Sequence, residues 1–189
     1  MTGFYRVDHR LLRSNTTPYE YLQYAEIPHL SPVPFALAGE GKGACIVTID
    51  RDFLAIVKAK LGTLWIPRQT QRITDGHSYD VDDFRVRVGR LMMADTARGI
   101  VVEVEYLPVD TMAAAEPVLR DFVESLELPF EGRWVLGPSS SAAAGAGGGA
   151  HEKKKVGAAA AASAAAAGAG DEWTALDTGR LYFELMRVR

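Results

Sequence analysis

Glu103 and Glu105 form the pair whose type and spacing come closest to chemistry. At i and i+2 on a strand two carboxylates point the same way, and inside a barrel they could hold a divalent metal. The competing reading is a charged strand face, cross-paired with Arg85 or Arg87 of the preceding segment. A second candidate is Gly39-Glu40-Gly41-Lys42-Gly43. A phosphate-binding loop follows a strand, opens a helix and carries Ser or Thr after its lysine. Here the glycines precede a strand and no such hydroxyl follows Lys42, so the run is read as a turn. The histidines at 9, 29, 77 and 151 lack metal-ligand spacing, Cys45 has no cysteine partner, and no Gly-x-Ser-x-Gly elbow occurs. No catalytic, cofactor or metal site is expected. What remains is Trp65, followed by Arg68 and Gln69. Tryptophan and arginine are enriched at binding hot spots, so these three are a candidate partner interface. The alternative for Trp65 is an ordinary place in the core.

Local structure must position these residues. Residues 4–13 alternate loosely, with Tyr5, Val7 and Leu11 on one side, and 19–25 is tyrosine-rich; both read as strands. Prolines 28, 32 and 34 hold the chain open. Short strands are expected at 35–37 and 44–49, the second buried by its Cys-Ile-Val-Thr-Ile composition. Asp50 suits the N-cap of a helix with Phe53, Leu54, Val57 and Leu61 on its inner face and Gly62 at its end. Residues 64–74 read as a strand bent at Pro67, and Asp75-Gly76 as a turn.

Residues 79–92 read as one extended segment, with Phe84, Val86 and Val88 alternating against Arg85 and Arg87. After a loop at 95–99, Ile100, Val102, Val104 and Tyr106 face one way and Val101, Glu103 and Glu105 the other. Antiparallel pairing of these segments would bring arginine to glutamate. A helix with Pro117 in its first turn carries Leu119, Phe122, Val123 and Leu126, and Pro129 ends it. The tail 173–189 reads as a docked helix with Leu181, Tyr182, Leu185 and Met186 inward. Strands joined by short turns and followed by helices favour an antiparallel sheet in an α+β fold.

The 189 residues suit one domain, formed by 1–137 with 171–189. Residues 138–170 are an Ala/Gly/Ser-rich insertion, expected to be disordered and dispensable because it cannot bury enough apolar surface to offset ordering entropy. Within it, 158–167 could form a transient helix without a docking face. Lys153, Lys154 and Lys155 are too few to make a targeting patch. A net charge of −3 gives no support to a nucleic-acid binder. No apolar run approaches the ~20 residues that span a bilayer, and the first residues carry no apolar signal-peptide region. One cysteine suits a reducing compartment.

Four pieces in order resemble the family of subunit 20 of Mediator, the coactivator of RNA polymerase II. They are the helix over 53–61, Leu64-Trp65-x-x-Arg68-Gln69, the strand over 84–88, and Ala97-Arg98-Gly99-Ile100-x-Val102-Glu103-Val104-Glu105. The Trp-x-x-Arg-Gln form is similar to that of fungal members. The resemblance covers 46–106 well, and 4–13 and the tail weakly. It implies an antiparallel β-barrel-like sheet with flanking helices. Family members begin with an extra strand and helix, whose lack would leave a barrel edge open and the chain prone to self-association.

The resemblance also implies a non-enzymatic, architectural role in the nucleus, within the head module that engages the polymerase machinery. The implied partners are subunit 18 and, through it, the C-terminal helix of subunit 8, with no cofactor, direct nucleic-acid contact or membrane. The barrel shape is shared with triphosphate-tunnel enzymes, whose Glu-x-Glu-x-Lys matches Glu103 and Glu105 but meets Leu107 in place of lysine. A metal-dependent hydrolase of that type, or its inactive relic, is the alternative expectation.

Overall fold

The structure is a computed structural model that describes residues 2–39, 44–109, 111–128, 132–135, 159–164 and 173–187. The first half of the chain forms β1 (Gly3–Ser14), β2 (Tyr21–Glu26), β3 (Phe35–Ala38), β4 (Cys45–Thr48), α1 (Phe53–Leu61) and β5 (Trp65–Val81). The second half forms β6 (Phe84–Met93), β7 (Thr96–Tyr106), α2 (Met112–Ser125), β8 (Arg133–Val135), β9 (Ala159–Ala164) and α3 (Ala175–Leu185). Seven strands pair antiparallel in the order β4-β3-β2-β1-β5-β6-β7, and β9 and β8 extend the β7 side in parallel.

The α+β class and the antiparallel sheet match the sequence reading. The barrel does not close: β4 and β8 end the strand order and do not pair with each other among the described residues. The sheet instead curls around α3, which packs on β2, β3 and β4 at one end and on β8 and β9 at the other. β1 is hydrogen-bonded on both sides, to β2 and β5. β4, at one end of the strand order, is mostly exposed rather than buried because among the described residues it has one strand neighbour.

Bulges supply the curl. β5 slips register against β1 between Leu11 and Leu12, opposite Gln69 and Pro67, which is the bend expected at Pro67. A second slip faces Tyr5 and Val7. There Asp75-Gly76 makes a bulge inside a continuous strand, with Asp75 at φ 52°, not a chain reversal. The reversal comes at Asp82-Asp83, with Asp82 at φ 50°, so residues 79–92 belong to two strands. Aspartate reaches the left-handed region more readily than most residues, which is why both sites carry it.

The helices differ in detail from the sequence reading. Asp52 is the N-cap of α1, while the Asp50 carboxylate accepts from the Asp52 N–H. Leu61 is exposed because α1 buries only Val57 fully. α2 begins at Met112, so Pro117 lies inside the helix rather than in its first turn. α3 has a Thr174/Asp177 capping box, and Phe183 joins the four inner residues expected. Gly41, Lys42 and Gly43 of the glycine run, and most of 138–170, lie outside the described residues. The exception is Ala159–Ala164, a strand where composition favoured loop or transient helix, because its backbone completes the β7 edge.

Three apolar clusters follow among the described residues. One lies between the concave face and α3, one between the outer face of β6–β7 and α2, and one under α1. Gly76 and Gly89 make room for Tyr5 in the first. A Cβ on Gly76 would overlap the Tyr5 carbonyl oxygen, and one on Gly89 would overlap the Ile73 side chain and meet the Tyr5 ring at 3.0 Å. Gly76→Ala is expected to destabilise by about 1–3 kcal/mol through overpacking. Gly3→Ala, with nothing within 4 Å of its Cβ, should change stability little. Urea denaturation of both variants checks this, and equal effects would refute the close approach.

Candidate functional site

The alternation of β6 and β7 gives each strand two faces, and both are covered. Val102 and Val104 pack outward against Ala115, Leu119 and Val123 of α2. Glu103 points inward and is 1% exposed. A carboxylate so far from water must be paired. β6 supplies the first partner, because Arg87 stands opposite Glu103 in the antiparallel register. Its Nη1 donates to Glu103 Oε1 at 2.9 Å and its Nη2 to Glu105 Oε2 at 3.0 Å. Arg85, opposite Glu105, turns to Asp80 instead at 2.7 Å.

The second Glu103 oxygen is held from outside these strands. The Tyr182 hydroxyl of α3 donates to Oε2. His29, from the proline-rich link between β2 and β3, brings Nε2 within 3.2 Å of the same oxygen. Because the Tyr182 proton is committed, Tyr5 of β1 donates to Tyr182 Oη, 2.8 Å away. The His29 ring lies edge-on to Tyr5 and Tyr182, with centroids 5.3 and 6.0 Å apart.

Burial raises the Glu103 pKa, but His29, Arg87 and Tyr182 together outweigh it and hold the carboxyl below its ordinary value. Burial and then the Glu103 charge push both tyrosine hydroxyls well above theirs. The arrangement therefore keeps a charged, fully engaged carboxylate and two neutral phenols. Arg87 occupies the place between Glu103 and Glu105 that a cation bridging the two would need. The cross-paired reading of this pair describes the geometry, with the correction that the charged face is the interior. Among the described residues no cluster of three or more His, Cys, Asp or Glu is arranged for a metal.

His9, on the same inner face of β1, shares Nε2 with Gln23 Oε1 at 3.0 Å and lies against Phe183. Burial outweighs that hydrogen bond and pushes its pKa down to about 4.

The three residues singled out for partner binding separate. Trp65 is half-buried against the cluster of Leu12, Leu22, Ala36 and Val57 under α1. Arg68 is exposed at the β5 bulge. Gln69 is half-buried, and its Nε2 has no hydrogen-bond partner among the described residues. Leu64, beside Trp65, is 47% exposed. The sequence reading missed Tyr5, His29 and Tyr182 as one constellation. The alternation of β1 placed Tyr5 inward and the helical stripe placed Tyr182, but no local signal connects either to Glu103.

A sequence model of the family described as "TATA-binding related factor (TRF) of subunit 20 of Mediator complex" matches residues 2–186. The chain is 44% identical over 52 residues to "Mediator of RNA polymerase II transcription subunit 20b" of Arabidopsis thaliana, covering 26% of this chain and 24% of the relative. It is 34% identical over 83 residues to "Mediator of RNA polymerase II transcription subunit 20" of Homo sapiens and of Mus musculus, covering 44% of this chain and 39% of each relative. The matched stretches thus span well under half the length of these curated relatives.

Arg87→Met leaves Glu103 buried without its main cation and is expected to cost about 3–5 kcal/mol. Adding Glu103→Gln removes the stranded charge and should recover part of that loss. Urea melts of the single and double variants decide it; a double variant no more stable than Arg87→Met would show that the charge is not stranded. His9 carries a pH dependence of known sign. Its folded pKa of about 4 lies below the ordinary 6.5, so its contribution is full above pH 6.5 and is lost as pH falls through 4. At pH 5 the loss amounts to about 2 kcal/mol. Melting between pH 7 and 5 should therefore fall steeply in the native chain and much less in His9→Gln.

Proposed function

Because the chain belongs to the Mediator subunit 20 family, we propose that it is a non-enzymatic subunit of Mediator, acting in the nucleus in transcription by RNA polymerase II. The observation that carries the reading is the family match across nearly the whole chain. Within that reading the chain sits in the head module, as a heterodimer with subunit 18 and through it beside the C-terminal helix of subunit 8. The role is architectural, without cofactor, direct nucleic-acid contact or membrane. The Glu103 carboxylate supports it, since one of its oxygens is held by Arg87 within the sheet and the other joins α3 to the sheet through Tyr182.

The contact surface proposed for the partner is the β5 bulge with Trp65, Arg68 and Gln69. Arg68 offers the exposed charge, Leu64 the exposed apolar surface, and Trp65 the packed support beneath. Arg68→Glu is expected to weaken binding to subunit 18 about tenfold without changing the melting temperature. Trp65→Ala should instead lower stability by about 3 kcal/mol. Calorimetric titration of subunit 18 with each folded variant distinguishes the two. Unchanged affinity in Arg68→Glu would remove this surface from the interface.

The whole reading is tested by affinity purification of the tagged protein from its source organism. Mediator subunits should be recovered, and purification free of any of them would overturn the assignment. Residues 140–157 should be dispensable: their deletion is expected to leave melting and partner binding unchanged, whereas a loss of several degrees would show that the segment is docked.

A further inference from the structure

α2 covers the outer face of β6 and β7, and α1 covers the sheet near Trp65. Between them, no described helix lies over the start of β1 and the far half of β5. Phe4 is 85% exposed there, and Tyr79 and Val81 are exposed on the neighbouring strand. The rings form a continuous row: Phe4 and His77 are 6.3 Å apart between centroids, and His77 and Tyr79 are 6.4 Å apart. The bulge at Gly76 hollows the surface beside this row into a groove of about 610 Å³, walled by Phe4, Arg6, Arg72 and His77.

The charges of the groove are uneven. Arg6 donates to Asp8 Oδ2 through Nε at 2.9 Å, and Arg72 Nε lies 3.4 Å from the other oxygen of the same carboxylate. Two guanidiniums thus share one carboxylate, and the Arg72 side chain is 55% exposed beside it. A guanidinium presents five N–H donors in a fork that fits a carboxylate, more than one shared Asp8 can accept from two arginines. Asp75 at the rim is paired with Arg90, at 3.6 Å. His77 Nδ1 is buried and has no hydrogen-bond partner among the described residues. The site therefore joins surplus guanidinium donors to an exposed aromatic row, in a chain whose net charge is −3.

We propose that this groove docks an acidic peptide segment that carries an aromatic or aliphatic anchor. The anchor lies on Phe4 and Tyr79, and a flanking Asp or Glu accepts from the Arg72 fork beside Arg6. Aromatic and arginine side chains together are the composition from which binding hot spots are built. A nucleic acid fits less well, because Asp8 and Asp75 interrupt the cations along the face and would repel a continuous line of phosphates. The proposal stands apart from the Mediator reading, which needs no contact at this face.

The test is fluorescence anisotropy of the full chain with a labelled short peptide of Asp and Glu around a central Phe-Leu pair. Saturable binding is expected, weakened about tenfold or more by Arg6→Glu/Arg72→Glu and by Phe4→Ser. High salt should weaken it too. Arg120→Glu on α2 should leave it unchanged. All substituted side chains are largely exposed, and circular dichroism confirms that the variants fold. A peptide with lysine in place of the acids should not bind. The proposal is overturned by no saturable binding to the folded chain, by equal affinity in Arg6→Glu/Arg72→Glu, or by a single-stranded oligonucleotide that displaces the peptide. None of these results bears on recovery of Mediator subunits, so the two readings fail separately.

Discussion

The buried Glu103 carboxylate is the constraint on which the rest of this structure depends. A charge on the concave side of a curled sheet has no water to solvate it, so partners must come from whatever surrounds it. They come from β6, from the β2–β3 link and from α3. Tyr5 adds β1 through the Tyr182 hydroxyl. One side chain thereby ties together segments 177 residues apart. Such a network favours one docking of α3 over others, because a displaced helix would take the Tyr182 hydroxyl away from the buried Glu103 oxygen. It sets where the helix sits, while the apolar contacts of Leu181, Phe183 and Met186 hold it there.

The curl of the sheet follows from the same need. α3, about 10 Å across, is too narrow to reach both β3 and β9 on a flat sheet. Bulges at Asp75-Gly76 and at Arg68 bend β5, the longest strand, so that both ends of the sheet meet the helix. Gly76 and Gly89 are then required for a local reason: the Tyr5 ring lies across the strands at the bend, where a Cβ would collide. Closure by strand pairing is replaced by closure on a helix. β4 is left as an edge with short length and small burial, and β9 extends the other side by pairing in parallel with β7.

The chain carries its polar chemistry in two places with different consequences. Inside, every oxygen of Glu103 is engaged and the phenols stay neutral, which suits a structural joint. Outside, arginines share carboxylates with donors to spare, which suits recognition. Burial makes the difference: the same Arg–carboxylate contact is fixed where desolvation forbids alternatives and exchangeable where water competes.

Local rules determined much of this protein from its sequence. The antiparallel pairing of β6 and β7 was legible because Arg85 and Arg87 face Glu105 and Glu103 only in that register. The tail helix, the α1 stripe and the bend at Pro67 followed from spacing and from proline's missing N–H, and the ordered motifs carried the family. Tertiary structure alone decided the rest. Alternation shows that β7 has a charged face but not that α3 covers it, because that helix arrives from far along the chain. Asp-Gly at 75–76 reads locally as a turn, yet β1 and β6 pair across it and keep the strand continuous. Whether the sheet closes, which edge stays open and which carboxylate loses its water depend on contacts remote in sequence, and desolvation is settled only when those contacts form.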